Sequence, residues 1–133
     1  MNVYVGCGLT GAPEDFKAFV ASFKSALRSE LGLEVFEFLG TTEGTPTDVY
    51  LTDLTNVETC DAFIAIVDEP STGLGMELQH AIEIGKPALC LAREGLTITR
   101  MVRGAAELGK VTLVRYTDQA SAVAAVGTFL ATA

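Results

Sequence analysis

Two carboxylates and a tyrosine, each beside glycine-rich or turn-forming sequence, are the residues that could do chemistry in this chain. Glu77 is central. It lies in Val67-Asp-Glu-Pro-Ser-Thr-Gly-Leu-Gly-Met-Glu-Leu-Gln-His-Ala-Ile-Glu-Ile-Gly-Lys-Pro87. The apolar run from Ala62 to Val67 predicts a buried strand, and Asp68 to Gly75 has the composition of a turn. Met76 to Ile84 repeats apolar residues at helical spacing, and Gly85-Lys86-Pro87 stops the helix. In an open α/β sheet, a strand, loop and helix in this order put a ligand outside the strand's C-terminal end. On this reading Glu77 falls in the first turn of the helix, where free N–H groups and the dipole favour an ionised carboxylate. A carboxylate held there is a nucleophile, a base or a ligand clamp.

The elements that must position it follow from the rest of the chain. Asn2 to Gly6 is a short apolar strand carrying Tyr4, followed by the loop Cys7-Gly-Leu-Thr-Gly11. Pro13-Glu-Asp opens a helix whose apolar stripe is Phe16, Phe19, Val20, Phe23 and Leu27, and Gly32 ends it. Leu33 to Leu39 alternates as a strand, and Gly40 to Thr47 is a polar loop. A helix from Thr47 to Glu58, with Thr47 as its cap, carries Asp53. After the central strand and helix come a buried strand at Ala88 to Ala92 and a loop at Arg93 to Thr97. A helix at Ile98 to Leu108, a strand at Val111 to Val114 and a closing helix at Asp118 to Ala133 complete the chain. Strands alternating with helices predict a five-stranded parallel sheet, flavodoxin-like or Rossmann-like in order 2-1-3-4-5, with helices on both faces. The loops after strands 1 and 3 then face one another across the switch point. Tyr4 and the Gly6 to Gly11 loop meet Ser71 to Glu77 there, and Asp53 reaches the same crevice.

Bulk composition narrows the classes of function. The 133 residues suit one domain, and 49% are hydrophobic, enough for a core. The net charge of −8 repels nucleic acid and anionic membranes. No apolar run approaches the length of a membrane span, and Met1-Asn2-Val3-Tyr4 lacks the charged start of a signal peptide. Cys7, Cys60 and Cys90 are scattered without metal spacing and read as reduced thiols of a cytoplasmic protein. With one histidine, His80, a zinc site is not expected. Gly73-Leu-Gly75 is too short for a dinucleotide fingerprint, and no Walker motif is present. Plainer roles exist for each candidate. Glu77 suits a helix's first turn, Asp53 a solvated helix face, Tyr4 a core edge, His80 a packing or surface position, and Cys7 an inert thiol.

At these residues the chain resembles the nucleoside 2-deoxyribosyltransferase family, and within it the branch of 2′-deoxynucleoside 5′-monophosphate N-hydrolases. Gly73-Leu-Gly-Met-Glu-Leu78 matches the segment carrying the family's nucleophilic glutamate, here Glu77. Tyr4 in Val3-Tyr-Val-Gly matches the tyrosine that orients it, and Asp53 in Asp53-Leu54 the active-site aspartate. Met101-Val-Arg-Gly-Ala-Ala106 resembles a segment of the hydrolase branch. The resemblance implies cleavage of a base–sugar bond. Positive charge builds on the anomeric carbon, Glu77 bonds to it, Asp53 serves the departing base, and Tyr4 holds Glu77. Water completes hydrolysis, or a second base completes transfer, with no metal or organic cofactor.

The resemblance also implies a substrate-binding set of Gly6, Gly8, Gly11, Ser71, Gly73, Gly75 and Thr99. Ser71 stands where transferases of free nucleosides carry an aspartate and the hydrolases a serine, which can donate to a 5′-phosphate. Thr99 stands where the hydrolases have a serine reached from the neighbouring subunit, which implies a homodimer or an assembly of dimers. Gly8 and Thr10 replace a serine and an arginine that hold phosphate in the hydrolases. Backbone N–H groups of the Gly6 to Gly11 loop, Arg100 and Arg103 are the alternative phosphate partners. The implied partner is a small nucleotide or nucleoside. Hydrolysis of monophosphates, base exchange between free nucleosides, and non-catalytic nucleotide sensing on the same fold are the three readings.

Overall fold

The computed structural model describes residues 1–37 and 44–133. Its elements run β1 (Asn2–Cys7), α1 (Glu14–Leu31), β2 (Glu34–Val35), α2 (Pro46–Thr59), β3 (Ala62–Ile66), α3 (Thr72–Glu83), β4 (Ala88–Arg93), α4 (Arg100–Glu107), β5 (Thr112–Tyr116) and α5 (Gln119–Thr132). The sheet has the order β2-β1-β3-β4-β5, and every neighbouring pair is parallel. The expected order 2-1-3-4-5 is therefore borne out.

Strand alternation divides the core into two layers. Val3 and Val5 of β1, Ile64 and Ile66 of β3, and Leu89 and Leu91 of β4 join Phe16, Val20, Phe23 and Leu27 of α1 and Val123 and Val126 of α5. On the other face Tyr4, Phe63, Ala65 and Cys90 join Val57 of α2, Leu74, Leu78 and Ala81 of α3, and Val102 of α4. The β3 run Ala62–Ile66 is buried along its whole length. That accounts for its unbroken apolar sequence, as expected for a central parallel strand.

Local capping moves several boundaries from where periodicity alone sets them. α3 begins at Thr72, four positions before the expected Met76, because Ser71 caps it: the Ser71 hydroxyl accepts the Leu74 N–H at 3.1 Å. Gly73 and Gly75 lie inside the helix, where each costs about 1 kcal/mol relative to Ala, and burial of Leu74 offsets that cost. α2 is capped by Thr45, not Thr47. Thr45 and Asp48 exchange side-chain-to-backbone bonds of 3.1 and 3.0 Å, with Pro46 in the first helical position. α4 starts at Arg100 because Thr99 caps it, and β5 extends to Tyr116. β2 is only Glu34–Val35, where Leu33 to Leu39 was expected. Phe38, Leu39 and the Gly40 to Glu43 part of the expected loop lie outside the described residues. Among the described residues no helix is long and apolar enough to cross a membrane.

One close approach sets the position of α3 on the sheet. A Cβ built at Gly6 would lie 2.9 Å from both Leu74 Cδ1 and Phe63 Cζ. Glycine at this point of β1 therefore lets α3 settle directly over β1 and β3. Gly6→Ala is expected to destabilise the fold by about 1–3 kcal/mol through overpacking, read as a lower midpoint in urea unfolding. An unchanged midpoint would mean that α3 has room to shift.

Candidate active site

β1, α2 and α3 each contribute one residue to the cluster. Tyr4 is on the β1 face that α3 covers; it is 3% exposed and its ring stacks on Phe63 with centroids 5.6 Å apart. Glu77 is in the buried stripe of α3 with Leu74, Leu78 and Ala81, the i, i+3, i+4, i+7 spacing of a core-facing surface. At 8% exposure it is the only buried carboxylate among the described residues. Asp53 is half-buried on α2. The Tyr4 hydroxyl interacts with both carboxylates, and the carboxylates act on each other through their charge. Asp53 Oδ1 and Glu77 Oε2 are nevertheless buried with no hydrogen-bond partner. Buried acceptors left open in this way suit a site that a ligand completes.

The position of Glu77 corrects the expected electrostatics. The residue is in the second turn of α3, and the first turn has no acidic residue, so the helix terminus does not govern its charge. Burial does. It pushes the Glu77 carboxyl up from 4.5 to about 7, against a lowering by the Tyr4 hydrogen bond and with a further rise from Asp53. Burial also raises Asp53, while the neighbouring Tyr4 hydroxyl lowers it. Burial and the two carboxylates together hold Tyr4 well above the usual phenol range, so it is neutral and keeps its proton to donate.

The loops meet as the topology requires. A Cβ at Gly8 would lie 2.9 Å from Ser71 Cβ and 3.1 Å from the Glu69 carbonyl oxygen, so the loop after β1 packs on the loop after β3 at the switch point. Gly6 is within β1 itself, and Gly11 has a positive φ of 75° on the exposed side of the first loop. Gly75 faces open space, and Gly73 has only Ser71 Oγ near it, at 4.0 Å. Ser71 Oγ accepts from Leu74, which leaves its own proton free. Thr99 caps α4 by accepting the Met101 N–H at 3.2 Å.

The plainer readings hold for two candidates. Burial pushes the Cys7 thiol up to about 11, so it stays protonated. His80 joins α3 to α2 by a 3.1 Å contact with Glu58, as a packing residue would. Absent from the sequence reading is a group at the same edge of the sheet. Both oxygens of Asp68 are engaged, one by the Arg93 N–H at 2.9 Å and the other by the Tyr116 hydroxyl. A turn-forming Asp and a strand-ending Tyr 48 positions apart carry no local signal that they meet.

No protein-family model matches the chain. It is 44% identical over 57 residues to 5-hydroxymethyl-dUMP N-hydrolase of Rattus norvegicus, a match covering 41% of this chain and 35% of that relative. The chain thus matches about a third of that relative's length. In fold it is similar to the CMP N-glycosidase BcmB of Clostridium botulinum, with TM-score 0.75 and 22% identity over 97% of this chain and 99% of that one. It is also similar to the 2-deoxyribosyltransferase of Bacillus psychrosaccharolyticus, with TM-score 0.66 and 21% identity over 92% and 90% of the two chains. The expected resemblance is thus supported for the chain as a whole: part of it is similar in sequence to a nucleotide N-hydrolase, and its fold is that of a CMP N-glycosidase and a 2-deoxyribosyltransferase.

Proposed function

We propose that this protein is an N-glycosidase that hydrolyses the base–sugar bond of 2′-deoxynucleoside 5′-monophosphates, with Glu77 as nucleophile and a covalent deoxyribosyl-enzyme intermediate. The observation that carries the reading is a carboxylate buried on the core stripe of a helix, interacting with a neutral tyrosine and a second carboxylate at the switch point. Anion binding alone gives no reason to bury one carboxylate beside a second, half-buried one, which weighs against a non-catalytic sensor.

The proposed steps use those groups in turn. The anomeric carbon gains positive charge as the base departs. Glu77 reacts as its carboxylate, having released its proton to solvent before the bond breaks, and the developing cation favours that ionised form. Tyr4 favours the same form by donating a hydrogen bond to it. Glu77 then bonds to the anomeric carbon. Asp53, also raised by burial, is the proton or hydrogen-bond donor to the leaving base. Water attacks the anomeric carbon and gives its proton to the Asp53 carboxylate left by the first step, the bond between that carbon and the Glu77 oxygen breaks, and deoxyribose 5-phosphate and the free Glu77 carboxylate result. For the 5′-phosphate, the Ser71 hydroxyl and the open N–H groups at the start of α3 are the proposed donors. Gly11, Gly73 and Gly75 would allow close backbone approach around the sugar and phosphate, whereas the space beside Gly6 and Gly8 is taken by Leu74, Phe63 and Ser71, so those two glycines serve packing.

Base exchange between free deoxynucleosides is the second reading. Thr10, where the hydrolases carry an arginine, and the similarity in fold to a deoxyribosyltransferase favour it. Among classes of substrate, the reading excludes nucleic acid on the charge argument and takes a small nucleotide. It also places the protein in the cytoplasm, as one domain spanning residues 1–133, with no cofactor.

Three outcomes check this reading. Glu77→Gln is expected to lose turnover by several orders of magnitude while gaining stability. The sign follows from the raised carboxyl: the folded state prefers the protonated form, so stability is full below pH 4.5 and falls as pH rises to about 7. The penalty reaches about 3 kcal/mol above that, so Glu77→Gln should unfold at a higher temperature at pH 8 and no differently near pH 4.5. Near-normal turnover in the folded variant would remove the covalent mechanism. Ser71→Asp sets a carboxylate against the phosphate, and two unit charges at ~4 Å and an effective dielectric of ~20 interact by about 4 kcal/mol. The ratio of kcat/KM for a deoxynucleoside 5′-monophosphate over its free nucleoside should exceed one in the wild type and reverse in Ser71→Asp. A wild type that favours the free nucleoside and transfers its sugar to an added base would favour the transferase instead.

The third outcome concerns assembly. Met101 is 80% exposed and Leu108 76% exposed, and Leu96 is also exposed, so α4 and the loop before it offer apolar area beside Arg100 and Arg103. We propose a homodimer, or an assembly of dimers, through this helix, with Thr99 presented to the partner's site. Light scattering at working concentration should give a dimer or larger. A fully active monomer would end the proposal.

A further inference from the structure

The Asp68 network at the C-terminal edge of the sheet has no part in the proposed steps, yet it holds one end of the loop that enters the site. Asp68 directly follows β3 and Val67. Three residues later Ser71 caps α3, and the segment between packs on Gly8 through the Glu69 and Pro70 carbonyls, 3.1 and 3.3 Å from a Cβ built there. The Asp68 end is fixed from two neighbouring strands. Arg93, at the end of β4, donates its N–H to Oδ1, and Tyr116, at the end of β5, donates its hydroxyl to Oδ2. Tyr116 cannot swing freely: it is 1% exposed, its ring stacks on Phe19 at 5.3 Å and 6°, and the Arg93 guanidinium lies 5.3 Å from its ring centroid. The donor is thus rigid, and the carboxylate it holds is the first residue of the loop.

We propose that Tyr116 is a positioning residue: its hydrogen bond to Asp68 fixes the Asp68–Ser71 loop and, through it, the substrate-facing start of α3. The bond has a second consequence. Glu69 and Asp68 are two acidic residues next to the place proposed for a phosphate, in a chain of net charge −8. With both oxygens of Asp68 occupied by donors from β4 and β5, this carboxylate is turned to the sheet edge and not to the crevice. The loop can then present an anion with hydroxyl and N–H donors.

The kinetic part of this inference rests on the proposed N-glycosidase reading; the structural part does not. Tyr116→Phe keeps the stacked ring and removes only the hydroxyl, so the variant folds. Hydrogen exchange of the free full-length protein is the first measurement. The hydrogen-bonded amides of Leu74 and Gly75, whose acceptors are both on Ser71, should exchange about tenfold faster in Tyr116→Phe, with β4, β5 and α5 unchanged. KM for a deoxynucleoside 5′-monophosphate should rise about threefold to tenfold at nearly constant kcat, the size of one lost hydrogen bond. Asp68→Ala should behave alike, the double variant should be no worse than Asp68→Ala, and Asp68→Asn, which can still partner the phenol, should recover most of the loss. Unchanged exchange of the Leu74 and Gly75 amides, or faster exchange across the whole sheet, would overturn the proposal, as would a local exchange change with KM unmoved in an active enzyme. If exchange changes as expected but the wild type cleaves no 5′-monophosphate, the loop assignment stands and the proposed substrate falls.

Discussion

A carboxylate in the core-facing stripe of α3 is the constraint around which this structure is arranged. Glu77 takes a position that periodicity reserves for an apolar side chain, between Leu74 and Leu78. Removing an ionised carboxyl from water is costly, and the raised Glu77 carboxyl expresses that cost. The fold sustains it because both flanking leucines and Ala81 are buried and the parallel sheet beneath is apolar on both faces. A neutral Tyr4 hydroxyl supplies the main polar compensation. Stability is given up at one residue and held by its neighbours.

Glycine and capping chemistry then settle where that carboxylate sits. Gly6 lets Leu74 approach β1, and Gly8 lets Ser71 and the Glu69 carbonyl approach the first loop. Ser71 fixes the register of α3 by capping it, which turns Glu77 inward toward Tyr4 and not outward to solvent. At the far side, the bonds from Arg93 and Tyr116 to Asp68 tie the same loop to β4 and β5. Residues from four of the five strands or their ends thus bear on one helix start, although only Tyr4, Asp53 and Glu77 meet as a cluster.

The sheet order was legible from alternation of apolar runs with helical stripes, since crossover handedness leaves few arrangements for such a chain. The meeting of Tyr4, Asp53 and Glu77 followed from that order together with the family resemblance. The electrostatics were not legible. Two glycines make Asp68 to Gly75 resemble a turn, which puts the expected helix start four residues late and Glu77 beside a dipole that does not reach it. The signal was present in the spacing of Leu74, Glu77, Leu78 and Ala81, once Ser71 is read as a cap. Composition likewise favours Thr47 as the cap of α2, whereas the reciprocal bond of Thr45 with Asp48 depends on a three-residue spacing. The Asp68–Tyr116 contact has no sequence signature, being a product of β5 lying two strands from β3.

The central claim is that Glu77 forms a covalent bond to the sugar. It is tested most directly by mass spectrometry of the intact protein after exposure to a 2′-fluoro-2′-deoxynucleoside 5′-monophosphate, whose electron-withdrawing fluorine slows release of a glycosyl intermediate. The account expects a stoichiometric gain of one fluorinated sugar-phosphate unit, mapped by proteolysis to the peptide containing Glu77 and absent from Glu77→Gln. Release of free base from the analogue with an adduct on another residue, or with none while turnover continues, would contradict it.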